Sequence, residues 1–333
     1  MTEQALFDLC AFDAPTCTLA RLYCGKSDLQ TLGRWLSETD FEALPTDLSC
    51  MAANAASEDF SQMPQTLVPR LRGILKYVHT LNAGMTAGFL SLATQWQAQG
   101  ISAVLLEDTA LALCAPEGGR RQLWQLRIGI SRKDYQKAVA MAQESGWLGE
   151  ASPWAATLKQ SQTRQITLFP LEDGSYYWQA NTMRKFGNVS LLCPEPAALL
   201  MGLCQLGFRA LTKQAPRAAM VHWLMDMKLL LSLFEEAHWQ RALQLAKAEN
   251  ALFHMGLLLH IYEAISGSAV NAAAFCGLEE AAHTAKLLKA FRASEEKGQK
   301  GRRLYLLYRL RRPDSVGASL KLLLRELQKK YNN

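Results

Sequence analysis

The spacing of apolar side chains along this chain predicts a mostly helical protein. Between residues 71 and 99 apolar positions recur at intervals of three and four, the period of a helix with one buried face, and Gly100 ends the run. The same spacing predicts two shorter N-terminal helices. It also predicts a series of helices after Pro194, so that the predicted helices are 28–38, 47–56, 71–99, 196–210, 217–237, 239–249, 251–265, 277–294, 304–310 and 318–330.

Strand signals are confined to the middle of the chain. The run 101–106 is apolar except for Ser102, as is typical of a buried strand. Further strands are predicted over 124–130, 165–169 and 175–179, with 154–165 as a connection and Glu172-Asp173-Gly174 as a hairpin turn. A helix is predicted to start at 131–134, continue over 137–145 and end before Gly146.

These elements predict an α-rich α/β protein with one small mixed sheet. We expect an N-terminal helical region over 1–99, an α/β core over 100–193, and an all-helical C-terminal domain with a basic tail over 194–333. Pro194 and Pro196 mark the second boundary, since proline is favoured at the start of a helix.

Composition narrows the class of protein. Of the 333 residues, 49% are hydrophobic and 20% charged, which is typical of a globular chain, and no apolar run reaches the roughly 18–20 residues of a membrane span. The first residues carry acids and no Lys or Arg before an apolar stretch, unlike a secretory signal, so a cytoplasmic protein is expected. The eight cysteines and six histidines contain no CxxC, HxH or HxxxH pair, and we expect no metal site.

Positive charge is concentrated near the C-terminus. Residues 297–330 carry a net charge of +9, and the rest of the chain carries −3, so no nucleic-acid partner is expected. This tail predicts either a solvated charged face or an amphipathic surface for an anionic membrane or an acidic partner. The second interpretation assigns that contact to Arg302, Arg303, Arg309, Arg311 and Arg312.

Several short motifs occur in a characteristic order along the chain. They are Asn82 in the long helix, Gly100-Ile101, Ala110-Leu111, Arg120 or Arg121, Asp134, Ala138, Gly146-Trp147, the run from His222 to Asp226, and His238-Trp239. In this order the chain resembles a largely uncharacterised bacterial nucleotidyltransferase family found in gene clusters for surface polysaccharides and some peptide natural products. The resemblance spans nearly the whole chain and implies a nucleotidyltransferase-like core.

The positions that carry chemistry in that family differ here. Where the family has Lys-Gly after the first strand, this chain has Glu107-Asp108. Where it has Asp-x-Asp, this chain has Gln125-Leu126-Arg127. Ser175 stands for a third acid, and Tyr177-Trp178 stands for a His-Trp pair.

These substitutions reverse the charge of the implied site. Two carboxylates at i and i+2 of a strand face the same side and can share divalent ions, whereas an amide is a weak ligand and a guanidinium repels Mg²⁺. We therefore predict a vestigial site in which Glu107 or Asp108 pairs with Arg127, Arg120 or Arg121. A rebuilt metal site using Glu107, Asp108 and Glu172 or Asp173 is the alternative.

The sequence thus predicts a degenerate relative that acts as a binding or scaffold subunit for a protein partner, without a cofactor. An active nucleotidyltransferase using Mg²⁺ and a nucleoside triphosphate at an atypical site is one alternative. A peripheral membrane adaptor acting through the tail is another. His222 and Asp226, one helical turn apart, are predicted to pack or cap because no nucleophile accompanies them.

Overall fold

The computed structural model describes residues 8–25, 29–114, 121–211 and 217–277. Its α-helices are α1 (Ala14–Cys24), α2 (Leu29–Glu38), α3 (Thr46–Ala56), α4 (Val68–Ala98), α5 (Glu107–Cys114), α6 (Tyr135–Glu144), α7 (Tyr176–Gln179), α8 (Pro196–Leu211), α9 (Arg217–Leu231), α10 (Glu236–Ala248) and α11 (Leu252–Ser266). Its strands are β1 (Ala103–Leu105), β2 (Leu126–Ser131), β3 (Leu148–Ala151), β4 (Ala156–Ser161), β5 (Arg164–Leu171), β6 (Asn181–Phe186) and β7 (Val189–Pro194). The predicted helices beyond residue 277 lie outside the described residues.

The strands form one seven-stranded mixed sheet in the order β3-β4-β5-β2-β1-β7-β6. The central strand β2 runs antiparallel to β1 and parallel to β5, with Arg127 opposite Thr167. β1 in turn runs parallel to β7. The predicted α-rich α/β class is confirmed. β2 is the middle strand of the sheet and β1 lies next to it.

The long helix α4 packs along this sheet. It contacts β5, β7 and α6, and it also packs against α3. Trp96, near its C-terminal end, is fully buried and donates a hydrogen bond from Nε1 to the Ala138 carbonyl at 3.2 Å. Gly100, with φ of 74°, then turns the chain into β1, a backbone conformation that favours glycine.

Helices from both ends of the chain cover the remaining part of the core. α8 packs against α9, α10 and α11, while α9 and α11 also contact α1. α9 packs against α3 and α5 as well. The contact of α9 with α5 matters for the site, because it brings residues more than a hundred positions apart in sequence next to each other.

Three predictions in the middle of the chain are wrong. Instead of the strand predicted over 175–179, residues 176–179 form the short helix α7, and Ser175 is its N-cap and accepts from the Tyr177 amide at 3.4 Å. The turn at 172–174 therefore leads into a helix and joins no hairpin. Within the predicted connection 154–165, residues 156–161 form β4.

Other elements were not predicted. The strands β3 and β6 are largely exposed, so they lack the alternation of apolar and polar residues that reveals a half-buried strand. The helix predicted over 217–237 ends at Leu231, and Glu235 then starts α10 with a capping box that includes His238. None of the described helices combines the length and the apolar character needed to cross a bilayer.

Candidate functional site

The candidate site starts where β1 ends. Glu107 and Asp108 form the first turn of α5 directly after the buried strand, and the Leu106 amide donates to the Arg127 carbonyl at 2.9 Å. This bond places the start of α5 beside β2. Glu107 has a φ of 39°, in the left-handed region that a residue with a side chain rarely adopts, so its backbone is strained.

Glu107 pairs with Arg127. The Arg127 Nε donates to Glu107 Oε2 at 2.9 Å, and Tyr177 donates its hydroxyl to Glu107 Oε1 at 2.7 Å, so both carboxylate oxygens are engaged. The guanidinium also lies over the Phe169 ring, 4.7 Å from its centroid. The two charged side chains are only 8% and 13% exposed, which makes this a buried ion pair.

Gly202 of α8 leaves room for this arrangement. A Cβ at this position would collide with the Tyr177 hydroxyl oxygen and would lie 2.8 Å from the Glu107 Cγ. The absence of a side chain on α8 therefore lets Tyr177 and Glu107 meet against the helix backbone.

Arg121 forms a second, three-membered cluster. Its Nη2 donates to Asp108 Oδ2 at 2.9 Å and its Nε donates to Asp226 Oδ1 at 2.7 Å. The Arg121 side chain is 8% exposed and that of Asp226 is 10% exposed. A single buried guanidinium thus joins two carboxylates, one from α5 and one from α9.

Asn82 of α4 holds the backbone around Arg121. Its Nδ2 donates to the Arg121 carbonyl at 2.7 Å, and its Oδ1 accepts from the Leu123 amide at 3.0 Å. The buried amide therefore satisfies one acceptor and one donor of a segment that enters the site without regular secondary structure.

The electrostatics of the cluster follow from burial and from these charges. Burial lowers the pKa of Arg121, but Asp226 and Asp108 outweigh it and raise that pKa above its ordinary value. Burial raises the pKa of Asp226, and the Arg121 guanidinium opposes the change. Burial, together with Arg121, lowers the pKa of the neighbouring His222 to about 3, so this imidazole is neutral near pH 7.

Gln125, the residue immediately before β2 and two residues before Arg127, hydrogen-bonds to side chains of β5. Its Oε1 accepts from the Thr167 hydroxyl at 2.6 Å and from Gln165 Nε2 at 2.8 Å. Both acceptor directions of the side-chain oxygen are therefore used by neighbouring side chains. The Arg127 amide donates to Thr109 Oγ1 at 2.7 Å, which adds another link between β2 and α5.

The structure brings together Glu107, Asp108, Arg121 and Arg127 as two adjacent ion-paired groups. Ser175 is used differently, since it caps α7. Arg120 and the five tail arginines Arg302, Arg303, Arg309, Arg311 and Arg312 lie outside the described residues.

Two residues of the site are not predicted from the sequence to take part in it. Tyr177 stands at the position of a histidine in the family, and Asp226 lies one helical turn from His222, so both are at positions that the family resemblance marks. Their positions in those motifs were the available signal. What they contact could not be read from them.

A cavity of about 330 Å³ lies beside the ion pairs, between the sheet and helices α8 and α9. It is lined by Asp108, Arg121, Arg127 and Phe169, with the largely exposed Trp124 and with His222 at another wall. The Trp124 Nε1 donates to His222 Nδ1 at 3.3 Å. A second cavity, of about 510 Å³, is also lined by Arg121 and Asp226.

The alternative metal site, which would add Glu172 or Asp173 to Glu107 and Asp108, is not formed by the described residues. Glu172 pairs with Arg132 through half-exposed and exposed side chains. Within the described ranges, no group of three or more His, Cys, Asp and Glu side chains is placed to hold a metal ion.

Comparison with known proteins places these observations in a family. A family model described as uncharacterised nucleotidyltransferase matches residues 47–267. One solved structure that is similar to the chain is that of an antigenic nucleotidyltransferase-like protein from Paracoccidioides brasiliensis; it is 13% identical and covers 59% of this chain and 97% of its own, with a TM-score of 0.35. No curated protein matches the chain.

Proposed function

Because the chain belongs to the uncharacterised nucleotidyltransferase family, we propose that it is a degenerate member that serves as a binding or scaffold subunit and transfers no nucleotide. The observation that carries this proposal is the ion pair of Arg127 with Glu107. Arg127 stands at one of the two positions where the family resemblance places metal-binding carboxylates.

A divalent metal does not fit the side chains present. Mg²⁺ requires oxygen ligands in near-octahedral geometry. The two positions available are Gln125, whose oxygen already accepts two hydrogen bonds, and the cation Arg127. Freeing Glu107 to act as a ligand would leave the Arg127 charge buried without its partner. Breaking a buried pair in this way costs about 3–5 kcal/mol, so the ion pair competes directly with metal binding.

The second cluster supports the same proposal. Asp108 and Asp226 are both bonded to Arg121, so using either carboxylate as a metal ligand would remove one of the two anions that pair with this buried guanidinium. We propose that the paired charges hold α5, β2 and α9 together as a rigid scaffold.

The cavity is the observation that favours the alternative function. It has three arginines in its wall, Arg121, Arg127 and Arg209, and an aromatic side chain, Trp124, at its exposed side. Such a lining can hold an anionic group and stack on a planar one. An active nucleotidyltransferase with an atypical site would use this cavity for its nucleotide.

Titration calorimetry separates the two proposals. The full-length protein is titrated with ATP, CTP, GTP and UTP, each with and without Mg²⁺, and pyrophosphate release is followed in parallel. The degenerate proposal expects neither Mg²⁺-dependent binding in the sub-millimolar range nor pyrophosphate release. Either result, if it occurs, overturns the proposal.

A pair of variants locates any binding that is observed. Arg127→Ala removes a cation that lines the cavity, and Arg132→Ala removes a matched arginine whose partner Glu172 lies on the surface. Nucleotide binding that Arg127→Ala abolishes and Arg132→Ala preserves assigns the nucleotide to this cavity. Binding that is equally weakened by both variants assigns it to nonspecific charge.

The proposal also requires a protein partner that binds this chain. Affinity purification of the full-length protein from its native cell, followed by reconstitution with the purified candidate, tests for a direct and stoichiometric complex.

The membrane contact assigned to residues 297–330 and the cytoplasmic location stay predictions. Liposome binding with and without these residues tests the first.

A further inference from the structure

Two cysteines far apart in the sequence have their sulfur atoms in contact. Cys114, the last residue of α5, and Cys193 in β7 have Sγ atoms 2.8 Å apart, although 79 positions separate them in the chain. Both are free thiols. A disulfide bond has an S–S length of about 2.05 Å, so bond formation requires the two atoms to approach by less than about 1 Å.

The two thiols differ in environment. The hydrogen bond from Cys193 lowers the pKa of Cys114 against the effect of burial, and the positive charge of Arg184 adds to this lowering. The same contact and burial raise the pKa of Cys193. Cys114 is partly exposed, whereas Cys193 is buried, so Cys114 combines access to solvent with the greater tendency to ionise.

Arg184 also holds the Cys114 backbone. Its Nη1 donates to the Cys114 carbonyl at 3.0 Å from the neighbouring edge strand β6. A cation beside a partly exposed thiol, with a second thiol in contact, is the arrangement of a cysteine that reacts with an oxidant and then with a resolving cysteine.

We propose that Cys114 and Cys193 form a reversible disulfide when the protein meets a peroxide. The Cys114 thiolate attacks one peroxide oxygen, the O–O bond breaks, and hydroxide leaves to give the sulfenic acid. The Cys193 sulfur then attacks the Cys114 sulfur; the S–O bond breaks, the S–S bond forms, and the Cys193 proton leaves with the oxygen as water. Two thiols are oxidised by two electrons, and one peroxide is reduced to two waters.

The bond would connect two parts of the candidate site. α5 carries Glu107 and Asp108 in its first turn, and β7 leads through Pro194 and Glu195 into α8, which carries Gly202. Oxidation would therefore link the C-terminal end of α5 covalently to β7, the strand that precedes α8. Closing a long loop restricts the unfolded chain, so the oxidised protein should unfold at a temperature higher by a few degrees.

Peptide mapping of the full-length protein tests this proposal. The reduced protein is treated with stoichiometric hydrogen peroxide, its remaining thiols are alkylated, and tryptic peptides are identified by tandem mass spectrometry. The peptide 77–120 contains Cys114 alone, but the peptide 186–209 contains both Cys193 and Cys204. We expect these two peptides to be crosslinked, and dithiothreitol to separate them.

Three variants assign the bond. Cys114→Ser and Cys193→Ser should each abolish the crosslink, and the matched control Cys204→Ser, from the same tryptic peptide, should retain it. Cys204 is fully buried and burial raises its pKa, so it should stay reduced. If a serine variant fails to fold, the fragment ions of the wild-type crosslink still distinguish Cys193 from Cys204.

Two results would overturn the proposal. One is over-oxidation of Cys114 to the sulfinic acid with Cys193 still alkylated as a thiol. The other is a crosslink that joins Cys114 to Cys204, or that persists in Cys193→Ser. Cys17 of α1 serves as a comparison thiol because it is also partly exposed, but burial raises its pKa. It should therefore be oxidised more slowly than Cys114.

Discussion

Replacing Glu107 with glutamine tests the buried ion pair at constant side-chain size. Glu107→Gln keeps the size of the side chain, and it leaves the strained backbone at φ of 39° unchanged. The Tyr177 hydroxyl can still donate to the remaining side-chain oxygen. The variant removes the negative charge opposite Arg127 and also replaces the acceptor Oε2 with an amide donor that faces the Arg127 Nε–H, while the size of the side chain and the backbone strain are kept.

The expected loss follows from the burial of the pair. The two side chains are 8% and 13% exposed, and removing one partner of such a pair costs about 3–5 kcal/mol. The contact of the guanidinium with the Phe169 ring is made with or without the ion pair, so it does not change this loss. We therefore expect Glu107→Gln to lower the free energy of unfolding by about 3–5 kcal/mol.

A double-mutant cycle in urea measures this coupling. Unfolding is followed by circular dichroism for the wild type, Glu107→Gln, Arg127→Met and the double variant, with Arg132→Gln as a surface control that should change stability by less than about 1 kcal/mol. The double variant should be more stable than the sum of the single losses predicts, because neither charge is left without its partner. Additive losses, or a loss below about 1 kcal/mol in Glu107→Gln, would refute the assignment of a buried pair.

Three further changes test the surroundings of the site. Gly202→Ala should destabilise the protein by about 1–3 kcal/mol in the same urea assay, because the new methyl group collides with the Tyr177 hydroxyl. Adding Tyr177→Phe should relieve part of that loss, and no relief would contradict the predicted collision. The pKa of His222 is lowered to about 3 from 6.5, so its stabilising contribution is complete above pH 6.5 and is lost as the pH falls towards 3. His222→Gln should therefore remove up to about 2 kcal/mol of the stability that the wild type loses at about pH 5. An unchanged pH profile of unfolding would oppose this. Asn82→Ala should cost about 2–3 kcal/mol because it leaves the Arg121 carbonyl and the Leu123 amide without partners, whereas a loss below about 0.5 kcal/mol would indicate that water replaces the amide.

The helices of this protein could be predicted well where a local pattern determines them. The long helix was predicted over 71–99 and forms over Val68–Ala98, and the helix predicted over 196–210 forms over Pro196–Leu211. In both, one face or most of the helix is buried, so the apolar residues repeat with helical period. Gly100 ends the first helix because its backbone adopts a positive φ.

The exposed strands could not be predicted in this way. β3 and β6 form the two edges of the sheet, and most of their side chains face solvent. Their stability comes from backbone pairing with β4 and β7, which leaves no apolar alternation in the sequence. The same limit explains the error at 175–179, where the aromatic residues pack as a helical turn behind the cap of Ser175.

For the site, residue types alone indicate that the charges are reversed. Acids at 107 and 108, opposite Arg127 and an arginine at 120 or 121, predicted ion pairs because buried charges require opposite partners. The actual pairs are visible only in the folded chain, where Glu107 pairs with Arg127 and Arg121 joins Asp108 to Asp226, which is 105 positions from Arg121 in sequence. Charge complementarity can be recognised from residue types, but the choice of partner depends on where α5, β2 and α9 meet, and packing across the whole core determines that meeting.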